Sequence, residues 1–282
     1  MSIGSPVSCG MARPFRSACR IGRFGSWIAV LGIACLLMIG TGPTASAIGI
    51  TMVFNAGANQ APAFDPAAAG LMDLFDHAET FYEDVFEDGH NITINFWYED
   101  LEDTTIGLHT LVSQGGAPNR ETEANVRIDT RVGLGGALRN WFIDPTPDNN
   151  SEFTMQQTLW RDLSGAQQSD FYNNFGAAIP ATFEAGFTGA ATAGGGASGI
   201  SDMLSVVMHE VGHALGMSSA NNATIAQTGD LDYDFNTDFV FGQTLASEVA
   251  DGANIAHLDN STALMNPSIG ASLRRLPSHT DL

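Results

Sequence analysis

One short helical segment restricts the fold of this 282-residue chain more than any other feature of its sequence. The segment runs from Met203 to about Leu215 and contains His209-Glu-Val-Gly-His213. Residues four apart lie on the same face of a helix, so both imidazoles can bind one metal ion. Glu210 lies one step further round the helix, where its carboxylate can reach a water molecule bound to that ion. The pattern predicts Zn²⁺ with a neighbouring general base.

A catalytic zinc site needs a third protein ligand, which must come from another part of the fold. The extended pattern HExxHxxGxxH would place a histidine at position 219, but that residue is Ser219. The next histidine along the chain is His257. A carboxylate can also bind zinc, and the intervening segment contains three candidates: Asp230, Asp232 and Asp234.

These residues carry a family resemblance. The sequence HEVGHALGM, a delayed histidine and then Leu264-Met-Asn-Pro267 resemble the metzincin metalloproteases. The spacing is similar to the leishmanolysin-like branch, in which an insertion separates the glycine from the third histidine. The ending Arg275-Leu-Pro-Ser278, followed by His-Thr-Asp-Leu, is similar to that of bacterial secreted metalloproteases. The resemblance covers roughly residues 200–282.

The resemblance implies a role for each matching residue. His209, His213 and His257 would be the zinc ligands, and Glu210 would be the general base. Met265 would be the methionine of the Met-turn beneath the metal, with a plain core methionine as the alternative. His257 is favoured over the aspartates because it lies shortly before this turn.

The first 47 residues read as a secretory signal peptide. Arginines precede a 13-residue apolar run, Trp27–Ile39, and Ala45-Ser-Ala47 forms a small-x-small cleavage site. The run is too short for a membrane span, which takes about 20 apolar residues. We therefore expect secretion, with the periplasm or the cell surface as alternatives, and no stable membrane insertion once the leader is removed. All three cysteines precede position 36, so the remaining chain has no disulfides.

The net negative charge of the chain argues against some classes of binding partner. The chain has 31 acidic residues against 11 basic ones, all of them arginine, for a formal net charge of −20. A surface this acidic repels phosphate backbones and anionic lipids, which argues against nucleic-acid binding and electrostatic membrane docking.

The patterning along the rest of the chain predicts a mixed α+β domain. The resemblance refines this to a zincin or metzincin-like fold, with a twisted mixed sheet, an active-site helix and a small C-terminal lobe. The predicted catalytic domain spans residues 48–282, with an upper lobe of about 48–216 and a lower lobe of about 217–282. The predicted elements are strands at 48–54, 91–98 and 124–132, helices at 66–86, 153–175 and 203–215, and a flexible connector at 188–199.

Weaker signals lead to three further expectations. Asp230, Asp232 and Asp234 alternate like the start of an EF-hand loop, but Phe235 replaces its glycine, so a looser Ca²⁺ site competes with a solvated acidic loop. The strand at 124–132 is a candidate sheet edge for pairing with an extended substrate. Four histidines without ligand spacing are expected to be structural or exposed: His77, His90, His109 and His279.

The sequence therefore favours a secreted zinc-dependent endopeptidase that acts on protein or peptide substrates through a zinc-bound water activated by Glu210. Two alternatives remain open. One is a non-catalytic extracellular binding module on the same fold, in which an aspartate of the insertion closes the metal site. The other is a zinc amidase that acts on cell-wall peptides.

Overall fold

The computed structural model is a mixed α+β fold, as predicted, in which two principal sheets flank the histidine-bearing helix. Nearly all of the predicted signal peptide lies outside the described residues, and so do the three aspartates of the insertion. None of the helices in the described part combines the length and apolar character that crossing a membrane requires. The described residues are 47–58, 61–86, 88–116, 119–162, 184–218, 220–221, 256–257, 261–278 and 281.

The first sheet has four strands in the order β1-β2-β4-β3. Strands β1 (Gly49–Phe54), β2 (Asn91–Glu99) and β4 (Arg120–Asp129) are parallel, and β3 (Gly107–Gly115) pairs antiparallel with β4. The strands predicted at 48–54 and 91–98 are confirmed. Strand β3 is not among the predicted elements.

The predicted edge position of the strand at 124–132 is wrong. That segment belongs largely to β4, which is hydrogen-bonded to β2 on one side and to β3 on the other. Ala124, Val126 and Ile128 are fully buried because both neighbours and the helices cover them. The edge of this sheet beside the histidine-bearing helix is therefore β3.

Helix α1 (Ala69–Val85) confirms the helix predicted at 66–86. Its apolar face packs on the sheet, and the ring of Phe75 stacks on Phe96 of β2 at a centroid distance of 3.9 Å. The carboxylate of Asp65 accepts the backbone N–H of Leu71 at 3.0 Å and so satisfies part of the first turn. The buried residues of this face are Leu71, Leu74, Phe75, Ala78 and Tyr82.

Helix α2 (Met203–Leu215) confirms the predicted histidine-bearing helix. Asp202 caps its N-terminus by accepting the Ser205 N–H at 3.1 Å, and Gly216 ends it. Ten of its thirteen residues are buried, so the helix runs through the core rather than over the surface. Tyr82 of α1 donates its hydroxyl hydrogen to the Met208 carbonyl at 2.9 Å and fixes α2 against α1.

The second sheet has the strand order β6-β7-β9, from β6 (Phe153–Leu159), β7 (Glu184–Ala191) and β9 (Leu273–Leu276). A two-residue pair of β5 (Trp141–Phe142) with β8 (Ser201–Asp202) lies before α2. All pairs in the second sheet are antiparallel. Strand β9 therefore joins the predicted lower lobe to strands that precede α2 in the chain.

Two predictions for this region are wrong. The segment predicted as a helix from residue 153 begins as strand β6 and continues into a single 3₁₀ turn at Trp160–Asp162; residues 163–175 lie outside the described part. The start of the predicted connector, 188–191, belongs to β7. A Cβ at Gly189 would lie 2.3 Å from the Met155 sulfur, so glycine here allows close packing against β6.

A buried ion cluster connects the second sheet to α2. The Arg274 guanidinium lies 2.7 Å from the Asp144 carboxylate and 2.8 Å from that of Asp202, and all three side chains are at most 1% exposed. Asp202 is also the cap of α2, so one carboxylate satisfies the helix end and pairs with the arginine.

Candidate metal centre

Three histidines converge at the middle of the molecule. Each of His209, His213 and His257 offers a ring nitrogen, and these nitrogens all lie within 4.8 Å of one another. The first two lie one helical turn apart on α2, as the spacing predicts. His257 comes from a different part of the chain, and its ring centroid lies 5.3 Å from that of His209 and 4.9 Å from that of His213.

Hydrogen bonds to carbonyl oxygens orient the two helical imidazoles. The Nδ1 atom of His209 lies 2.8 Å from the Leu264 carbonyl, and Nδ1 of His213 bonds to the Met217 carbonyl. A carbonyl oxygen only accepts, so each Nδ1 must carry the hydrogen, and each Nε2 must present a lone pair.

The two Nε2 atoms lie 3.0 Å apart and face each other. Two lone pairs at this distance repel, so the arrangement is favourable only when a cation lies between them. This is the arrangement of a metal site in which carbonyl groups hold the outer nitrogen of each ligand. The cluster therefore fits a metal ion, and three imidazole ligands match the donor set that Zn²⁺ takes in catalytic sites.

Burial favours the uncharged form of the His209 and His213 imidazoles. It lowers the pKa of His209 to about 4, against the influence of the Leu264 carbonyl, and the nearby charges of His257 and Arg275 lower it further. Burial, followed by the charge of His209, holds the pKa of His213 well below its ordinary value. Neutral imidazoles are the form that binds metal ions.

Glu210 is 5% exposed and lies between α2 and strand β3. Burial raises the pKa of its carboxyl to about 8, while the backbone N–H of His109 and the charge of Arg127 lower it. A Cβ at Gly107 would lie 2.5 Å from the Glu210 Oε1 atom, so only glycine leaves room for the carboxylate. Strand β3 thus positions the carboxylate of Glu210, which the sequence predicts to be the general base.

Met265 lies directly behind the histidine pair. It is 1% exposed, and a Cβ at Gly212 would lie 2.7 Å from its sulfur. The preceding residue, Leu264, supplies the carbonyl that orients His209. The segment that contains Leu264 and Met265 therefore packs against α2 at the histidine pair.

His109 occupies a place that the sequence did not reveal. Rather than standing apart from the site, it lines the cavity, with its ring centroid 6.0 Å from that of His213. Its Nε2 atom lies 2.8 Å from the carboxylate of Glu121, which is 1% exposed. Strand alternation brings it here, because it follows Gly107 by two positions and points to the same face. Predicting a strand at 107–115 would have placed His109 on the same strand face as Gly107.

The other lone histidines lie elsewhere. His77 contacts the Asp148 carboxylate at 3.1 Å, and the His90 ring bonds to the backbone carbonyl of Glu121. His279 lies outside the described residues, as do Asp230, Asp232 and Asp234. The aspartates remain alternative zinc ligands and candidate Ca²⁺ ligands by prediction alone.

A cavity of about 920 Å³ opens over the histidine cluster. One wall is the edge strand β3, from Gly107 to Leu111, and the base is α2 with Glu210. The opposite wall contains Leu264, residues 266–269 and Arg275. This volume is in the range of a ligand-binding site rather than of a closed structural metal site.

Comparisons of the chain with protein-family models, with curated proteins and with solved structures find no match.

Proposed function

We propose that this chain is a secreted zinc-dependent endopeptidase with a metzincin-like fold and leishmanolysin-like ligand spacing. The observation that carries the proposal is the position of Glu210, a buried carboxylate beside three convergent imidazoles at the base of an open cavity. A structural zinc site has no use for an acid at this position.

His209, His213 and His257 would hold the metal. When bound, zinc would polarise the carbonyl of the scissile bond and lower the pKa of water toward neutrality. Glu210 would accept a proton from the attacking water on its carboxylate and then deliver that proton to the nitrogen of the leaving amine. Burial, which raises the pKa of this carboxyl in the metal-free chain to about 8, favours its holding the proton between the two steps.

Strand β3 would bind the substrate backbone. It pairs with β4 on one side only in the described part of the chain, and Leu108 and Val112 are 37% and 44% exposed. An extended peptide can add to such an edge through backbone hydrogen bonds. The cleavable bond would then lie over the histidine cluster, since β3 forms the cavity wall beside Glu210.

The test is hydrolysis of an unfolded protein by the zinc-loaded chain, with Glu210→Gln compared with the parent. General acid–base catalysis contributes about 10²- to 10⁴-fold, so we expect Glu210→Gln to lose at least about 100-fold in kcat with unchanged zinc content and circular dichroism. Glu102→Gln makes the same chemical change at an exposed residue and should keep full activity.

Two results would contradict the proposal. One is a folded, zinc-loaded parent that hydrolyses the substrate no faster than Glu210→Gln, which would favour a binding module. The other is hydrolysis of cell-wall peptides but of no protein, which would favour an amidase.

A further inference from the structure

Two consecutive arginines of β9 have opposite surroundings. Neighbouring residues of a strand point to opposite faces, so Arg274 and Arg275 face different parts of the molecule. Arg274 is neutralised by the two carboxylates of the ion cluster. Arg275 has no carboxylate within 4 Å in the described part of the chain, although it is only 6% exposed.

The side-chain contacts of Arg275 in the described part of the chain do not neutralise its positive charge. Its Nη1 atom donates a long hydrogen bond of 3.3 Å to the Asn266 side-chain oxygen, and its Nε atom is buried without a partner. Burial lowers the pKa of Arg275, and the negative charge of Asp281 raises it in part. The Asp281 carboxylate, however, accepts hydrogen bonds from the N–H of Met265 at 2.9 Å and from both the N–H and the hydroxyl of Ser278. A buried cation without a bound anion is costly to maintain.

Arg275 lines the cavity over the metal centre. It belongs to the wall opposite β3, and its charge is close enough to lower the pKa of His209. The other arginine of this cavity, Arg139, lies 2.7 Å from the buried Asp129 carboxylate and is already neutralised. Arg275 is therefore the arginine in this lining whose charge the described residues leave unmatched.

We propose that Arg275 is a carboxylate receptor that makes the site select peptides with an acidic group beside the scissile bond. The proposal rests on the proposed peptidase function and names its substrate class. The group would be an Asp or Glu side chain or a free C-terminal carboxylate, either of which accepts paired hydrogen bonds from a guanidinium. Selection would be local, because the net charge of −20 repels acidic peptides at longer range.

The experiment profiles cleavage of a peptide library, with free and amidated C-termini, by the zinc-loaded parent. Individual peptides that differ only by Glu or Gln at the selected position then give kcat/KM. A charge-assisted hydrogen bond corresponds to a preference of about 10- to 100-fold for Glu. Arg275→Gln should reduce this ratio to about 1, and Arg275→Lys should retain part of it. Arg120→Gln, which removes an arginine of a surface ion pair, should leave the ratio unchanged.

A second measurement does not depend on hydrolysis. The shift in Tm caused by acetyl-glutamate is compared with that caused by acetyl-glutamine amide, which has no carboxylate, in the parent and in Arg275→Gln. We expect acetyl-glutamate to raise the Tm of the parent alone, because binding to the folded state stabilises it. If Arg275→Gln is too unstable for kinetics, the comparison of the two compounds in the parent still tests whether the site binds a carboxylate.

The outcomes separate this inference from the peptidase proposal. Cleavage of peptides with no acidic preference in the parent, or with a preference that survives in Arg275→Gln, would overturn the receptor but leave the peptidase. A selective Tm shift with no cleavage of any peptide would support the receptor and refute the peptidase. A preference confined to free C-termini would assign the terminal carboxylate, and one that persists in amidated peptides would assign the acidic side chain.

Discussion

Replacing Gly107 by alanine should disable the site without removing any group that takes part in the chemistry. The added Cβ would lie 2.5 Å from the Glu210 Oε1 atom and 2.6 Å from the Val206 Cγ1 atom. An ordinary contact begins near 3.4 Å, so the carboxylate must move by about 0.9 Å. The backbone of β3 cannot withdraw easily, because Gly107 pairs with Ile128 in the sheet.

The expected loss follows from this displacement. A misplacement of about 1 Å at a reacting group costs on the order of 100-fold in rate, and overpacking costs about 1–3 kcal/mol of stability. We therefore expect Gly107→Ala to remain folded at 25 °C, to bind zinc as the parent does, and to lose about 100-fold in kcat. The measurements are peptide hydrolysis, zinc content and urea unfolding on the same preparation.

Gly115→Ala is the matched control on the same strand. Its Cβ would meet only the Thr122 methyl group at 3.3 Å, far from the carboxylate, so its kcat should stay within about twofold of the parent. If Gly107→Ala hydrolyses the peptide as fast as Gly115→Ala does, the placement of Glu210 against β3 is wrong as an account of activity.

Three further outcomes are expected. His257→Ala should leave the protein folded but lower zinc affinity by more than about 100-fold in a chelator competition, and full retention of zinc would assign the third ligand elsewhere. In the metal-free protein the pKa of His209 is lowered to about 4 from an ordinary 6.5, so the unfolded chain binds more protons. The contribution of His209 to the free energy of unfolding should then decrease as the pH falls from 6.5 toward 4, and a difference between the parent and His209→Ala that stays constant over this range in urea unfolding would contradict this. Arg274→Gln leaves two buried carboxylates without a cationic partner and should lower the free energy of unfolding by about 3–5 kcal/mol. If thermal unfolding shows that Arg274→Gln destabilises the protein no more than Arg120→Gln does, the ion cluster is not important for stability.

The histidine cluster was predictable from sequence because much of it is local. Helical periodicity alone brings His209 and His213 onto one face and places Glu210 beside them. The convergence of His257 was predicted through its spacing to Met265, a relation that no local rule supplies. Arg275 and His109 escaped prediction as site residues because their roles depend on which strand faces which wall of the cavity.

The errors in secondary structure have a common physical cause. Phe153, Met155 and Leu159 fit a helical spacing and a strand spacing almost equally well over so short a run. Gly189 belongs to the run that suggested a flexible connector, yet a Cβ there would lie 2.3 Å from the Met155 sulfur. Tertiary contacts decided both segments, and such contacts are invisible in a local pattern. The longer elements, α1 and α2, follow their patterns because each buries a continuous face.

The ion cluster of Arg274 also sets an order of events when the chain is made. Residues of β1, α1 and β2 leave the ribosome first, and Asp144 and Asp202 follow without a cationic partner until β9 arrives. The cap of α2 and the cavity wall that contains Arg275 are completed by this same late strand. We expect an unfinished chain to lack a stable cavity. Hydrolysis would thus begin only once β9 has joined the second sheet, which would limit cleavage of the chain by itself while it folds.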